Sequence, residues 1–330
     1  MANIESYFAN GSGTGRLYRA GYGFFLGYTL LYTVILTNSL LAGAVSYSVV
    51  MISLLALASA GGLLLYRQNR SKPGQGPIGP TFKEHSRLEK TLLLVLMLWI
   101  TIHLLFAAIE LLTIPVYPWD AWLVWVYRAK AWFFAGNVTE MVSGNDWLNS
   151  AESAAYTVHA HAYPKLVSVI PFWAAVSLGS WSESLVNIPT LLCGVAIGMA
   201  LYGQCRAIGI SALLAITICY FLFSTPLFGT HMALAGYADI WMAGFAGLGF
   251  VALIRGLITQ DRTQQVLGLG LITLSMLIKN EGVVWFFAAL LFLLIIHAPW
   301  RKLVWLLAGI LALAFLAYAF GVNKVSIPCS

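Results

Sequence analysis

Charge is what this sequence has least of. Asp, Glu, Lys and Arg make up 9% of its 330 residues and apolar side chains 60%, whereas soluble domains carry about 25% charged residues. A water-soluble fold is therefore excluded. Cysteine is scarce too. The four present (Cys193, Cys205, Cys219 and Cys329) show no metal-ligand spacing, and three lie in or beside apolar runs. They read as small buried apolar residues. The period-two alternation of an outer-membrane barrel is missing, which leaves helices as the spanning element, because lipid offers no partner to an open backbone. No internal repeat is visible. Nor is there a cleavable signal: the first apolar run begins after a polar stretch and is followed at once by another, the pattern of a signal anchor.

What the sequence does have is a series of long apolar stretches. A helix crosses a bilayer with about 20 apolar residues. Nine stretches approach that length, at 24–43, 45–65, 91–113, 185–203, 209–227, 238–256, 264–280, 283–298 and 302–320. The expected fold is all-α and polytopic, with about nine transmembrane helices. A further apolar block, 166–180, is short, starts after Pro164-Lys165 and contains Pro171. It is expected to be re-entrant or interfacial.

Bases gather in clusters: Arg16 and Arg19; Arg67, Arg70, Lys72, Lys83, Arg87 and Lys90; Arg206; Arg255 and Arg262; Arg301 and Lys302. The positive-inside rule assigns each cluster to the cytoplasm. The chain then divides into an N-terminal transmembrane hairpin (1–65), a basic, Gly/Pro-rich cytoplasmic linker (66–90) and a transmembrane core (91–330). The linker's expected role is topological and lipid-facing, with no nucleic-acid partner. The core carries an extracytoplasmic loop, 114–165. With block 166–180 re-entrant, every basic cluster stays inside, and Asp120, Asp239, Lys279, Asn280 and Glu281 all emerge on the outer side. The rare polar residues converge there.

The loop holds most of the chemistry, in YPWDAWLVWVYRAKAWFF near its start and HAHAYPK near its end. Asp120 opens a segment with Trp119, Trp122, Leu123, Val126 and Phe133 at helical spacing. It is either an N-cap on an interfacial helix with tryptophans at headgroup depth or a catalytic carboxylate that takes a proton from an acceptor hydroxyl. Arg128, Lys130 and Lys165 either snorkel to lipid phosphates or pair with the phosphate of a lipid-linked donor. His159 and His161 read as loop residues or, with Asp120 and Asp239, as ligands of a divalent metal. His103 and Glu110 read as a polar contact inside the bundle, and His231 as a weaker candidate still. Asp239 and Glu281, at membrane boundaries, are functional candidates because carboxylates at that depth are costly. Asn137-Val138-Thr139 matches a glycosylation sequon.

The order of these features resembles the membrane-embedded GT-C glycosyltransferases, in particular the aminoarabinose-transferase and protein O-mannosyltransferase group. The similar segments are Asp120 in YPWDAW, the segment HAYPKLVSVIPFW, the turn LYGQCRAIG, Asp239 in GYADIW and the KNEG turn from Lys279 to Gly282. They cover roughly 91–320. The chain departs in having Tyr163-Pro164-Lys165 where the family has a double proline, and in its first two spans, 24–65. It ends at GVNKVSIPCS where members generally continue, which a natural short form, a truncated gene product or a fragment would each explain. The resemblance implies an integral protein of the plasma or bacterial inner membrane, acting in the cell envelope. Its active site would be extracytoplasmic, moving a sugar from a polyprenyl-phosphate donor to a lipid, glycan or protein acceptor, with inversion. No cofactor is implied. Asp120 and Asp239 would be catalytic, and Arg128, Lys130, Lys165 and Lys279 would hold the donor phosphate. His159, His161, Tyr163 and Glu281 would bind substrate. The competing readings are a transporter or flippase for a lipid-linked or anionic solute and a non-catalytic, degenerate transferase.

Overall fold

The computed structural model describes residues 13–70, 86–149, 156–158, 160–234 and 236–297. The expected span at 302–320, most of the basic linker and His159 lie outside them. The described chain is mostly helical. Its long helices are α1 (Gly13–Ala42), α2 (Tyr47–Arg70) and α3 (Arg87–Thr113). The loop region follows, with α4 (Val126–Ala135), the short α5 (Gly144–Asn149) and α6 (Leu166–Leu178). Then come α7 (Ile188–Ala207), α8 (Ala212–Ser224), α9 (Pro226–Ala233), α10 (Asp239–Ile258), α11 (Arg262–Leu274) and α12 (Glu281–His297). Strands β1 (Met141–Val142) and β2 (Tyr156–Thr157) pair in parallel inside the loop, Met141 opposite Tyr156.

Local chemistry sets the ends. Ser86 and Glu89 form a reciprocal cap at the start of α3, and the helix stops at Ile114, ahead of Pro115, which disfavours helical geometry in the residue before it. Asp261 accepts from the Thr263 and Gln264 N–H groups at the start of α11. Gly136 and Gly179 close α4 and α6 at φ 69°, a left-handed turn that suits glycine.

Five helices are long and apolar enough to cross a membrane, or six if α8 and α9 count as one span bent by 67°. The expected nine are too many for the described residues. Two of the missing spans, 264–280 and 283–298, correspond to α11 and α12, of 13 and 17 residues. Apolar windows drawn on the sequence run through the break at Ser275–Leu277, where the helix tightens into a 3-10 turn. Block 166–180 forms α6, whose 13 residues reach about 20 Å at 1.5 Å per residue. That is short of the roughly 30 Å of a bilayer core.

Antiparallel packing through small residues sorts the ends of the bundle. Gly21 of α1 lies against Ala196 and Ala200 of α7, and Gly203 against Tyr18. Gly244 of α10 takes the Phe25 ring, and Gly249 and Gly268 bring α10 and α11 backbone to backbone. Within the expected hairpin, α1 packs directly on α7 and α10. A buried polar chain crosses the same four helices: Arg255 donates to Gln204 (2.6 Å), Gln204 to the Tyr22 hydroxyl (2.6 Å) and Gln264 to the Tyr18 hydroxyl (2.7 Å). Such groups need partners once removed from water.

The close approach at Gly21 is testable. A Cβ there would sit 2.5 Å from the Ala200 nitrogen and 2.7 Å from the Ala196 oxygen, whereas one at Gly27, on the same helix, meets nothing within 4 Å. Gly21→Ala is expected to cost about 1–3 kcal/mol by overpacking. Gly27→Ala should be neutral or gain up to about 1 kcal/mol of helix propensity. Thermal unfolding of both variants in one detergent checks the difference.

Candidate functional site

The connections sort the charges. Running α1, α7, α10 and α11 through their glycine contacts puts Arg16, Arg19, Arg206, Arg255 and Arg262 at one end of the bundle. The loop and the turns before α10 and α12 lie at the other. There, Asp120, His231, Asp239, Lys279 and Glu281 come together, the last two from a single turn.

Lys279 is the hub. Its ammonium, only 11% exposed, lies 3.1 Å from Asp239 Oδ1 and 3.6 Å from Glu281 Oε1. Burial works against that charge, but Asp239, Glu281 and the nearby Asp120 outweigh it and raise the lysine above its ordinary value. On the far side of Asp239, His231 Nε2 lies 4.0 Å from Oδ2, and the imidazole sits 5.0 Å from the Tyr237 ring, centroid to centroid. Asp239 and Glu281 occupy the first turns of α10 and α12, where unpaired N–H groups favour negative charge.

Asp120 leads into a wide π-helical turn, Ala121–Trp125, that continues into α4. Its side chain is exposed and makes no capping bond, so the N-cap expectation is not met. A second π turn, Ala243–Gly247, follows Asp239 within α10. Such turns recur at functional sites because they re-aim the residues beside them. The two segments touch: a side chain at Gly236 (φ 81°) would run into Val126 and Ala121. Glycine there lets the Asp239 loop close on the Asp120 helix.

The segment that Asp120 opens has one exposed and one buried face. Trp119 and Trp122 are exposed, while Val124, Trp125, Arg128, Ala129 and Trp132 are buried. Arg128, expected to hold the donor phosphate, is turned fully inward at 0% exposure. Its guanidinium donates to the carbonyls of Ala160 (2.8 Å), Tyr163 (3.0 Å), Pro164 (3.2 Å) and His161 (3.3 Å). Burial pushes it down to about 10, against the pull of Glu140 and Tyr32. It remains a cation at neutral pH. A planar fork of N–H groups suits a ring of carbonyls as well as a phosphate. Tyr163 stacks on Trp125 at 5.4 Å and belongs to the same clasp.

The other expected phosphate ligands also lie apart from the Lys279 hub. Lys130 pairs with Glu183 at 3.0 Å beside the Trp181 ring, and Lys165 pairs with Glu140. His161 is exposed, and its carbonyl accepts from Arg128. Among the described residues no three His, Cys, Asp or Glu side chains are grouped as metal ligands. His103 contacts Ser224 at 3.4 Å, a polar contact between α3 and α8. The sequon asparagine, Asn137, is half-buried, and its side-chain oxygen accepts from Ser39 and from the Val138 N–H. Sequence reasoning undervalued His231; its signal, eight residues ahead of Asp239 across a Gly-Tyr turn, is weak without the fold.

Arg128→Gln should leave part-buried carbonyls short of donors and cost about 1–3 kcal/mol. Proteolysis of 156–165 should become faster, which limited digestion and thermal unfolding would show. The Lys279–Asp239 pair makes a pH prediction. Because the lysine is raised in the folded state, its stabilisation is complete at neutral pH and is lost only as alkali removes the ammonium proton. Asp239→Asn should flatten that alkaline loss in a stability-versus-pH series. Comparison with family models, with curated proteins and with solved structures finds no match for this chain.

Proposed function

We propose that the chain is a multi-pass membrane glycosyltransferase of the GT-C type, moving a sugar from a polyprenyl-phosphate donor to a hydroxyl acceptor on the extracytoplasmic side. The observation that carries the reading is the meeting of Asp120, Asp239, Lys279 and Glu281 at the end opposite the basic clusters. A packing bundle has no use for four ionisable groups drawn from distant segments to one end. Group transfer at a membrane face does, because charge develops on the leaving phosphate as the acceptor loses a proton.

The geometry supports the following roles. Asp120, exposed and uncapped, positions the acceptor hydroxyl, with Asp239 as its carboxylate partner. Lys279, held by Asp239 and Glu281, is the cation that faces the leaving phosphate. Arg128 supports the site by clasping the 160–164 loop against α4. Lys130 and Lys165 lie outside this arrangement and are assigned no part in the transfer. Reaction from the face opposite the phosphate inverts the anomeric centre.

A transporter is the second reading, favoured by the 67° break between α8 and α9, since broken helices at a polar site are a transporter feature. One substitution separates them. Asp120→Asn should lower transfer about 10²–10⁴-fold with the protein still folded; in a transporter it would change solute flux, and no labelled sugar would reach an acceptor in any variant. Sidedness is tested by single cysteines at Asn145, Ser182 and Asn280 on a cysteine-free background. All three should react with an impermeant maleimide from outside intact cells. Labelling of Asn280 from the cytoplasm alone would sink the single-face reading.

A further inference from the structure

His231 stands outside every role assigned above, yet its surroundings are those of a proton acceptor. Its Nδ1 lies 2.8 Å from the Leu227 carbonyl oxygen. A carbonyl oxygen only accepts, so Nδ1 carries the hydrogen and Nε2 of the neutral ring presents a lone pair. That lone pair points across 4.0 Å to Asp239 Oδ2, beyond hydrogen-bond reach. Asp239 Oδ1 is taken by Lys279 at 3.1 Å, which leaves Oδ2 as the carboxylate oxygen open to a substrate. Two lone pairs facing one another attract only when a proton comes between them.

The helix ends supply a direction. Asp239 sits in the first turn of α10, where the backbone favours an anion, and His231 in the last turn of α9, where it favours a cation. Lys279 holds the other carboxylate oxygen, so a proton taken up on Oδ2 has the imidazole nitrogen, 4.0 Å away, as its next acceptor. The titratable neighbours are Tyr237 at the edge of the ring, Asp239, Lys279 and Glu281 behind Asp239, and His103 and Glu110 on α3, the helix packed against α9.

We propose that His231 Nε2 is the proton acceptor of the site, receiving through Asp239 Oδ2 the proton that leaves the acceptor hydroxyl. This rests on the transfer reading and deepens it. The acceptor O–H bond breaks as its oxygen bonds to the anomeric carbon. The bond from that carbon to the phosphate oxygen breaks, its electron pair staying on the phosphate. The proton ends on His231, where the imidazolium closes on Asp239 as an ion pair. His231 touches Asp239 rather than substrate and acts as a relay.

The test uses the full chain in lipid nanodiscs, with a panel of undecaprenyl-phosphate hexoses and pentoses tritiated in the sugar and a lipid extract as acceptor source. Expected for His231→Ala is a fall in kcat of about 10²-fold with KM within about twofold. Added imidazole should restore at least about tenfold, since a small base can fill the space of the missing ring. Asp239→Asn should fall further and gain nothing from imidazole. His231→Gln, closer in size, is the second variant and should behave as His231→Ala does without the rescue. In wild type, the nitrogen spectrum of histidine-labelled protein should show His231 with Nδ1 protonated and Nε2 bare. The opposite tautomer overturns the proposal, as does unchanged kcat in His231→Ala, or a fall in folded protein that imidazole does not mend. Absence of transfer by the wild type from every donor overturns the transfer reading itself, and the relay with it.

Discussion

Close approach of antiparallel helices through small residues is the constraint on which the rest of this protein depends. Lipid gives no hydrophobic drive for one apolar helix to leave it for another, so association relies on contact area and on polar groups that need partners. Gly21, Gly203, Gly249 and Gly268 allow the backbones of α1, α7, α10 and α11 to meet. The linked side chains of Tyr18, Tyr22, Gln204, Arg255 and Gln264 tie the same helices together near the basic end. Once those four are antiparallel and in register, the basic residues and the carboxylates fall at opposite ends.

The loop faces a different problem, since it is polar chain folded over an apolar bundle. A buried guanidinium is tolerable only when its donors are matched. Arg128 meets that condition at both terminal nitrogens, which donate to four carbonyls from one short stretch, though not at its Nε, and so makes 160–164 a clasp on α4. At the front of the same helix, Gly236 closes on Ala121 and Val126. The start of this helix is thus contacted on two sides, at Arg128 and at Ala121 and Val126, and Asp120 lies directly ahead of it.

Electrostatics at the cluster are a balance of three carboxylates against one lysine. Helix N-termini behind Asp239 and Glu281 offset part of the repulsion, and Lys279 offsets more. Under the proposed reading, an anionic donor meets a site whose cation is already shared. Under the proposed reading, binding a phosphate means drawing Lys279 partly away from Asp239, which frees that carboxylate as the proton leaves the acceptor. Binding and proton transfer are linked through a single ammonium.

Composition and hydropathy were enough to show an apolar, helical chain, with spans at 24–43, 45–65 and 91–113 that match α1, α2 and α3, and a loop rich in chemistry after them. The pairing of Asp239 with Lys279 was half legible, as two polar islands beside apolar runs. Their partnership needed the fold, because 40 residues separate them. The inward turn of Arg128 was not legible at all: it lies on the same helical face as Val124, Trp125 and Trp132, and its partners are main-chain carbonyls, which any sequence carries at every position. His231 escaped for a related reason, since the bend at Thr225-Pro226 that brings it to Asp239 is a matter of angle rather than pattern. Residue type and spacing decide what a segment can bury; which distant backbone arrives to satisfy it is decided only when the helices pack.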